Sequence, residues 1–226
     1  HMRYSKHGRM RFASHRDFQR AFERALRRAE VPVAMSAGFS PHPRISYANS
    51  APTGAASLAE YVEVALTREC DPDEVRVNVS AALPEGFDLV TVVVAADRDL
   101  PSRLHASVWC IELPGVDAQT ASTAVTAFLA SQEVVVSRMM KDGVRRFDAR
   151  SAVCALSVGE GEQGPPCAIL SAVVRHQAPA VRPDDILTAL REQSGLVPAA
   201  PPRVTRLAQG PLSAAPQQVS DPLAAV

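Results

Sequence analysis

The chain has 226 residues, of which 46% are hydrophobic and 21% charged, and its formal net charge is zero. This length and composition predict a globular chain with two domains of ordinary size. It contains no apolar run of about 18 residues and no charged-then-apolar leader, so we expect neither membrane insertion nor export, and we assign the chain to the cytoplasm.

The zero net charge conceals an asymmetry between two segments. Residues 1–50 hold ten lysines and arginines against three acidic residues, a net charge of +7. Residues 51–100 hold three arginines against ten acidic residues, a net charge of −7. The two segments either pair in space and neutralise each other or leave a basic face exposed, and only the second case suits an anionic ligand.

The first half of the chain predicts the order β-α-β-β-α-β, which is the ferredoxin-like split βαβ arrangement. Ser14 is a good N-cap for a helix over 15–30, and Asp17 completes a capping box. The apolar residues of this helix share one stripe, and its arginines lie on the opposite side. The other predicted elements are strands over 3–12, 45–49, 60–66 and 87–95, and a helix from 71 or 72 to 83.

The second half predicts a similar βα arrangement after a polar linker over 97–103. Its predicted strands cover 105–113, 134–140, 145–158, 167–175 and 203–207, and its predicted helices cover 117–131 and 183–193. We therefore predict an α+β protein of two ferredoxin-like halves, 3–96 and 104–207, the second with an extra strand. Residues 208–226 are rich in alanine, proline, glutamine and serine and predict a disordered tail.

The strongest candidate site combines the start of the first helix with the turn-rich segment 36–44, which predicts an ordered loop. Free N–H groups at a helix start attract phosphate, arginines bind phosphate through two hydrogen bonds, and flat rings stack on unpaired bases. The candidate RNA- or anion-binding residues are Lys6, Arg9, Arg11, Ser14, His15, Arg16, Arg20, Arg24, Arg27, Phe39, His42, Arg44 and Tyr47. The alternative for the helix arginines is an ordinary solvated face.

Two histidines are the candidate catalytic residues. His15 and His42 have side chains that titrate near neutral pH and could act as acid and base, although a hydrogen-bonding role is the commoner one. A second charged cluster consists of Arg145, Arg146, Asp148 and Arg150, for which ordinary salt bridges on a strand face are an equal explanation.

No metal or cofactor site is expected in this chain. Its cysteines are Cys70, Cys110, Cys154 and Cys167, and their spacing matches no zinc, redox or iron–sulfur motif, so we expect small buried residues. Nucleotide-binding and hydrolase motifs are missing from the sequence, as is the RNP1 signature of one RNA-binding fold.

Three parts of the sequence carry a family pattern: the run Ser5 to Ala29, the run Pro32 to Ser46, and Gly54 followed by Glu60-Tyr-Val-Glu-Val. Together they resemble the DUF2344 family, also called radical SAM-linked proteins. The resemblance is strong over residues 3–66 and extends to about 207, with Arg146-Phe-Asp-Ala-Arg150 similar to the family's second motif. It implies a radical SAM partner encoded beside the chain or fused to it. An iron–sulfur cluster and S-adenosylmethionine would then belong to the partner. The family brings no established activity.

From these observations we expect a non-catalytic RNA-binding accessory module that presents tRNA or rRNA to a radical SAM enzyme. One alternative is a metal-independent RNA-processing enzyme that uses His15 and His42. The other is a protein-interaction adaptor whose basic face docks an acidic partner.

Overall fold

The computed structural model describes residues 1–97, 99–141, 143–161, 165–213 and 218–224. The chain divides into two compact units. Unit 1 comprises His1–Leu104 and Asp221–Val226, and unit 2 comprises His105–Ser220. The α+β prediction is confirmed in its coarse form, since the described ranges combine four α-helices with mostly antiparallel strands.

Unit 1 has the chain order β-α-β-β-α-β. Its elements are β1 (Met2–Lys6), α1 (His15–Arg28), β2 (Ile45–Ala48), β3 (Ala56–Val64), α2 (Pro72–Ala82) and β4 (Phe87–Val92). The strands form a sheet in the order β4-β1-β3-β2, and all neighbouring strands are antiparallel.

The core of unit 1 joins both helices to the sheet. Phe18, Phe22 and Leu26 of α1 share one buried cluster with residues of α2, β1, β3 and β4. The rings of Tyr4 and Phe18 stack with centroids 3.9 Å apart, and those of Phe18 and Phe22 lie 5.4 Å apart. Complete burial of an aromatic side chain contributes about 2–3 kcal/mol, so this cluster fixes α1 on the sheet.

The predicted first strand over 3–12 is wrong in its second half. β1 ends at Lys6, and Gly8–Phe12 form a 3-10 helix that begins at Gly8 with φ +53°. A positive φ is readily adopted by glycine and turns the chain out of the extended conformation. This short helix leads directly to the start of α1.

The predicted linker contains a second 3-10 helix, Leu100–Arg103. Leu100 and Leu104 are buried against Ala48, Ala59 and Tyr61, so this stretch packs on unit 1 instead of running free. Residue 98 lies outside the described residues.

Unit 2 contains six strands and two helices in its described ranges. They are β5 (Ala106–Pro114), α3 (Ala118–Ala130), β6 (Val135–Met140), β7 (Gly143–Asp148), β8 (Val153–Glu160), β9 (Cys167–Arg175), α4 (Pro183–Ser194) and β10 (Arg203–Gly210). The main sheet has the antiparallel order β10-β5-β9-β8, while β6 and β7 pair only with each other in a separate two-stranded sheet.

Two predictions for unit 2 need correction. The single strand predicted over 145–158 is two strands, β7 and β8, because the chain turns between Asp148 and Val153. The extra strand predicted for this half belongs to a hairpin formed by β6 and β7. The disordered tail predicted from residue 208 starts too early, because backbone hydrogen bonding to β5 continues to Gly210.

Part of the predicted tail contacts other residues of the chain. Leu212 and Val219 form a β-bridge, and the carbonyl of Pro222 accepts a hydrogen bond from Arg103 at 3.1 Å. Residues 214–217 and 225–226 lie outside the described residues.

Candidate RNA-binding surface

The exposed side of α1 carries a row of five arginines. Its arginines Arg16, Arg20, Arg24, Arg27 and Arg28 are all exposed, and at about 100° per residue they fall within an arc of roughly 120°. We call these five residues the arginine stripe. The opposite side of the helix is buried in the core, so the stripe faces solvent.

The arginine stripe is not neutralised by the acidic segment that follows it. In the described ranges none of its five guanidinium groups forms an ion pair. Several acidic residues of segment 51–100 pair elsewhere: Asp73 with Arg76, Asp88 with His7, and Asp97 with Arg103. Of the two possibilities left open by the charge pattern, the structure favours an exposed basic face.

The start of α1 is closed by its own side chains. Ser14 Oγ accepts a hydrogen bond from the Asp17 N–H at 3.2 Å, and the Ser14 N–H donates to the Asp17 carboxylate at 3.0 Å, which completes the predicted capping box. The Ser14 hydroxyl also donates to the Asp17 carboxylate at 2.6 Å, and this hydrogen bond, followed by the one from the Ser14 N–H, holds the pKa of Asp17 below its ordinary value. The structure thus gives Ser14 a capping role, and the carboxylate beside it disfavours a phosphate at this helix start.

His15, the first residue of α1, lies in a polar cluster. Its Nδ1 is 2.9 Å from Ser50 Oγ, and its ring meets Tyr47 edge to face with centroids 5.0 Å apart. Partial burial lowers the pKa of His15; the negative charge of Glu60 opposes this effect, and the positive charge of Lys6 adds to it. A lowered pKa favours the neutral imidazole, and no hydrogen bond to its Nε2 is found in the described part of the chain.

Lys6 and Glu60 form the buried base of this cluster. Their exposed fractions are 6% and 1%. Lys6 Nζ donates hydrogen bonds to the carbonyls of Ala51 at 3.2 Å and Pro52 at 3.1 Å, and the Ala51 N–H donates to Glu60 at 3.0 Å. Lys6, a predicted anion-binding residue, is therefore buried and holds the backbone of residues 51 and 52.

Sequence reasoning missed Ser50 and Glu60. The available signal was an acidic residue within an apolar strand, since Glu60 stands between Ala59 and Tyr61 in β3. A carboxylate at such a position needs a partner to be buried at acceptable cost.

The predicted residues Arg9 and Arg11 lie on the 3-10 helix before α1. Arg9 is exposed. Arg11 Nε donates to the Gly54 carbonyl at 2.6 Å, and its guanidinium lies 5.6 Å from the ring centroid of Phe12. Arg11 thus links the 3-10 helix to the turn at Gly54. The Phe12 ring next to it is exposed to solvent.

The predicted loop at 36–44 is a narrow turn closed by hydrogen bonds. His42 Nδ1 lies 2.9 Å from Ser36 Oγ, and the Ser36 N–H donates to the His42 carbonyl at 2.8 Å. Phe39 is fully exposed at the far end, and Arg44 is exposed at the base. His15 and His42, proposed together as an acid and base, each bind a different serine.

Tyr47 was predicted to stack on a base, but its ring packs inside unit 1. It meets Phe18 and Phe22 edge to face, with centroids 6.1 and 6.4 Å away. Burial, and then the negative charge of Glu23, raise the pKa of Tyr47 above its ordinary value. Its hydroxyl is buried, and no hydrogen-bond partner for it is found in the described residues.

The second predicted cluster separates into two pairs. Arg145 and Arg146 are exposed on β7. The Asp148 carboxylate instead accepts hydrogen bonds from the N–H groups of Val134, Arg150 and Ser151, and the Arg150 guanidinium donates to the carbonyls of Leu129 and Val153. Asp148 and Arg150 therefore hold the turn between β7 and β8.

The described residues contain no group of three histidine, cysteine, aspartate or glutamate side chains placed to hold a metal ion. Four free cysteines are distributed over the two units. Among the helices of the described ranges, none combines the length and the hydropathy that a membrane span requires.

Comparison with known proteins places this chain among bacterial proteins of unknown role. Residues 1–183 match the model of a family described as an uncharacterised protein conserved in bacteria, DUF2344. A search of the curated proteins finds no match.

Proposed function

The chain belongs to the DUF2344 family, and we propose that it is an RNA-binding accessory module that presents tRNA or rRNA to a radical SAM enzyme. The observation that carries the proposal is the arginine stripe on α1. Five exposed guanidinium groups without ion-pair partners in the described ranges lie along one side of a single helix.

The spacing of the stripe suits a nucleic-acid backbone better than a small anion. The 14 residues of α1 extend over roughly 20 Å at about 1.5 Å per residue, so the stripe can contact several phosphates in succession. Guanidinium groups bind phosphate through paired hydrogen bonds, and each neutralised phosphate releases counterions. Binding should therefore be strong in low salt and weak in high salt.

Exposed aromatic rings favour unpaired RNA. Phe39 and Phe12 present their rings to solvent and belong to the same unit as the arginine stripe. Aromatic side chains stack on unpaired bases with little regard to sequence, at about 1–3 kcal/mol per base. Loops and single-stranded ends of tRNA or rRNA are the expected targets, because their bases can be splayed out.

We include in the proposal that both units are ferredoxin-like. In unit 1 the strand order β4-β1-β3-β2 places the last and the third strand on either side of the first. The order β10-β5-β9-β8 does the same in the main sheet of unit 2, whose strands in chain order are β5, β8, β9 and β10. In each unit one helix follows the first strand and the other precedes the last, as in the split βαβ arrangement. The β6–β7 hairpin is then an insertion in the second copy.

The radical SAM enzyme enters the proposal through the family resemblance alone. The iron–sulfur cluster and S-adenosylmethionine would be held by that partner, because the cysteines in the described part of this chain do not make a cluster-binding set. Both proteins would act in the cytoplasm. The adaptor hypothesis predicts a different result, namely binding of the partner with no affinity for RNA.

The test compares two double charge reversals. Arg20→Glu with Arg24→Glu changes the arginine stripe, while Arg175→Glu with Arg191→Glu changes two exposed arginines of unit 2 and alters the net charge equally. Binding to fluorescent tRNA and rRNA fragments is measured by anisotropy in low salt. We expect the first variant to lose at least tenfold in affinity and the second to change by less than threefold. Equal losses in both variants would reject the stripe as the binding surface.

A second candidate function is metal-independent RNA processing, which the environment of His15 favours. His15 is an exposed residue, its lowered pKa favours the neutral imidazole, and a neutral imidazole can accept a proton from an RNA hydroxyl. His42 is hydrogen-bonded to Ser36 and not to His15, so no contact joins the two histidines as an acid–base pair in the described residues. Cleavage of RNA in EDTA that is lost in His15→Ala would establish this function. Intact RNA with the wild-type chain would exclude it.

A further inference from the structure

A groove opens between the C-terminal half of α1 and the segment that leads into β2. Its volume is about 390 Å³, at the lower end of the range of roughly 300–1,000 Å³ found for small-ligand sites. The walls are mostly apolar and comprise Leu26, Val31, Val33, Met35, Pro43 and Ile45. We call this feature the α1 groove.

The walls of the α1 groove are held by backbone pairing. The Val31 N–H donates to the Leu26 carbonyl at 3.0 Å, which fixes the chain against the end of α1. Val33 bridges to Leu66, and Ile45 pairs with Val64 of β3. A groove that is already formed loses little conformational entropy when a ligand enters.

Two charged residues of α1 complete the lining. Glu23 and Arg27 are one helical turn apart, and both line the groove. Arg27 also belongs to the arginine stripe, and its Nε donates to the backbone carbonyl of Glu23 at 3.4 Å. No hydrogen bond or ion pair occupies the Glu23 carboxylate in the described part of unit 1.

This lining combines three features of a base-binding site. Apolar walls accept the faces of a flat ring, a carboxylate provides only hydrogen-bond acceptors, and an arginine can hold the adjoining phosphate. The groove is continuous with the arginine stripe through Arg27, so a strand that follows the stripe brings a base to its opening. A purely apolar side chain of a protein partner would leave Glu23 without a donor.

We propose that the α1 groove binds one base of the RNA and that Glu23 selects guanine. Guanine alone presents two adjacent N–H donors, from N1 and N2, on its Watson–Crick edge, and a carboxylate can accept both. Adenine presents its unprotonated N1 there, which a carboxylate repels, and uracil presents a single donor between two carbonyls. This inference rests on the proposed RNA-binding function and adds base preference to it.

The experiment uses two labelled seven-nucleotide RNAs of uridines, one with a central guanosine and one with a central adenosine. Their affinities for the full chain are measured by anisotropy in low salt. The variants are Glu23→Gln and, as a matched control, Glu192→Gln, which removes an exposed carboxylate from α4. Circular dichroism checks that each variant is folded.

We expect the wild-type chain and Glu192→Gln to bind the guanosine RNA about tenfold more tightly than the adenosine RNA. Glu23→Gln should bind both RNAs within twofold of each other. Equal wild-type affinities for both RNAs would overturn base selection by the groove and leave RNA binding intact. Failure to bind either RNA would instead overturn the proposed function itself. A preference for guanosine that persists in Glu23→Gln would reject the role of Glu23.

Discussion

Replacement of Lys6 by methionine tests the buried base of the His15 cluster. The change keeps most of the side-chain volume but removes the ammonium group that donates to the carbonyls of Ala51 and Pro52 at 3.2 and 3.1 Å. A hydrogen bond from a charged donor contributes about 1.5–3 kcal/mol. Because the apolar replacement recovers part of the loss, we expect the free energy of unfolding to fall by about 3 kcal/mol.

Thermal unfolding followed by circular dichroism measures this effect. At about 2–4 °C per kcal/mol for a chain of this size, Tm should fall by roughly 6–12 °C. Lys141→Met is the matched control, since Lys141 is exposed and is the other of the two lysines in the sequence. It should leave Tm within about 2 °C. A small shift in Lys6→Met, equal to the control, would refute the structural role assigned to Lys6.

The same variant has a second readout at His15. The positive charge of Lys6 lowers the pKa of His15, so Lys6→Met should move that pKa upward, toward the ordinary histidine value. NMR titration of the imidazole measures the shift directly. An unchanged His15 titration curve would show that the two side chains do not interact as described.

Three further changes test separate parts of the structure. Ser14→Ala removes the cap of α1 and should cost about 1 kcal/mol in urea unfolding, an effect absent if Asp17 alone closes the helix. His15→Gln should flatten the pH dependence of the free energy of unfolding. Because the folded-state pKa of His15 lies below 6.5, the wild-type chain loses stability as the pH falls below about 6.5. An unaltered slope in the variant would contradict the lowered pKa of His15. Arg138→Met breaks the 2.6 Å ion pair with Asp185, whose exposed fraction is 4%. Because the buried carboxylate then lacks its partner, the free energy of unfolding of unit 2 should fall by about 3 kcal/mol. A loss below about 1 kcal/mol would show that this ion pair contributes little to stability.

Local signals in the sequence were sufficient to predict α1. Its apolar residues recur at helical spacing, Ser14 and Asp17 form the expected capping box, and Pro32 follows soon after its end. The position of its arginines on the solvent side follows from the same periodicity. These features depend only on residues within the helix or next to it.

Long-range partners were beyond the reach of sequence patterns. Lys6 looks like one more member of a basic segment, but β1 pairs with β3, and the carbonyls that Lys6 holds belong to residues 51 and 52. Tyr47 likewise resembles an exposed aromatic residue in a short strand. Its burial depends on packing against Phe18 and Phe22, which no local pattern reveals.

The division between β7 and β8 was hidden for a different reason. The turn contains neither glycine nor proline, so the segment reads as one continuous strand. The Asp148 carboxylate produces the turn by accepting the N–H groups of Arg150 and Ser151 at 2.9 and 3.1 Å. Aspartate forms such turns through its own short side chain.

An RNA-binding role for the arginine stripe predicts that RNA binding by the wild-type chain depends strongly on salt. Association constants for a single-stranded tRNA or rRNA fragment are measured by anisotropy between about 50 and 200 mM salt. If the five guanidinium groups of the arginine stripe each contact a phosphate, the logarithm of the association constant should fall against the logarithm of salt with a slope of about −3.5, at about 0.7 per contact. No measurable RNA binding, or a slope near zero, would contradict an RNA-binding role for α1.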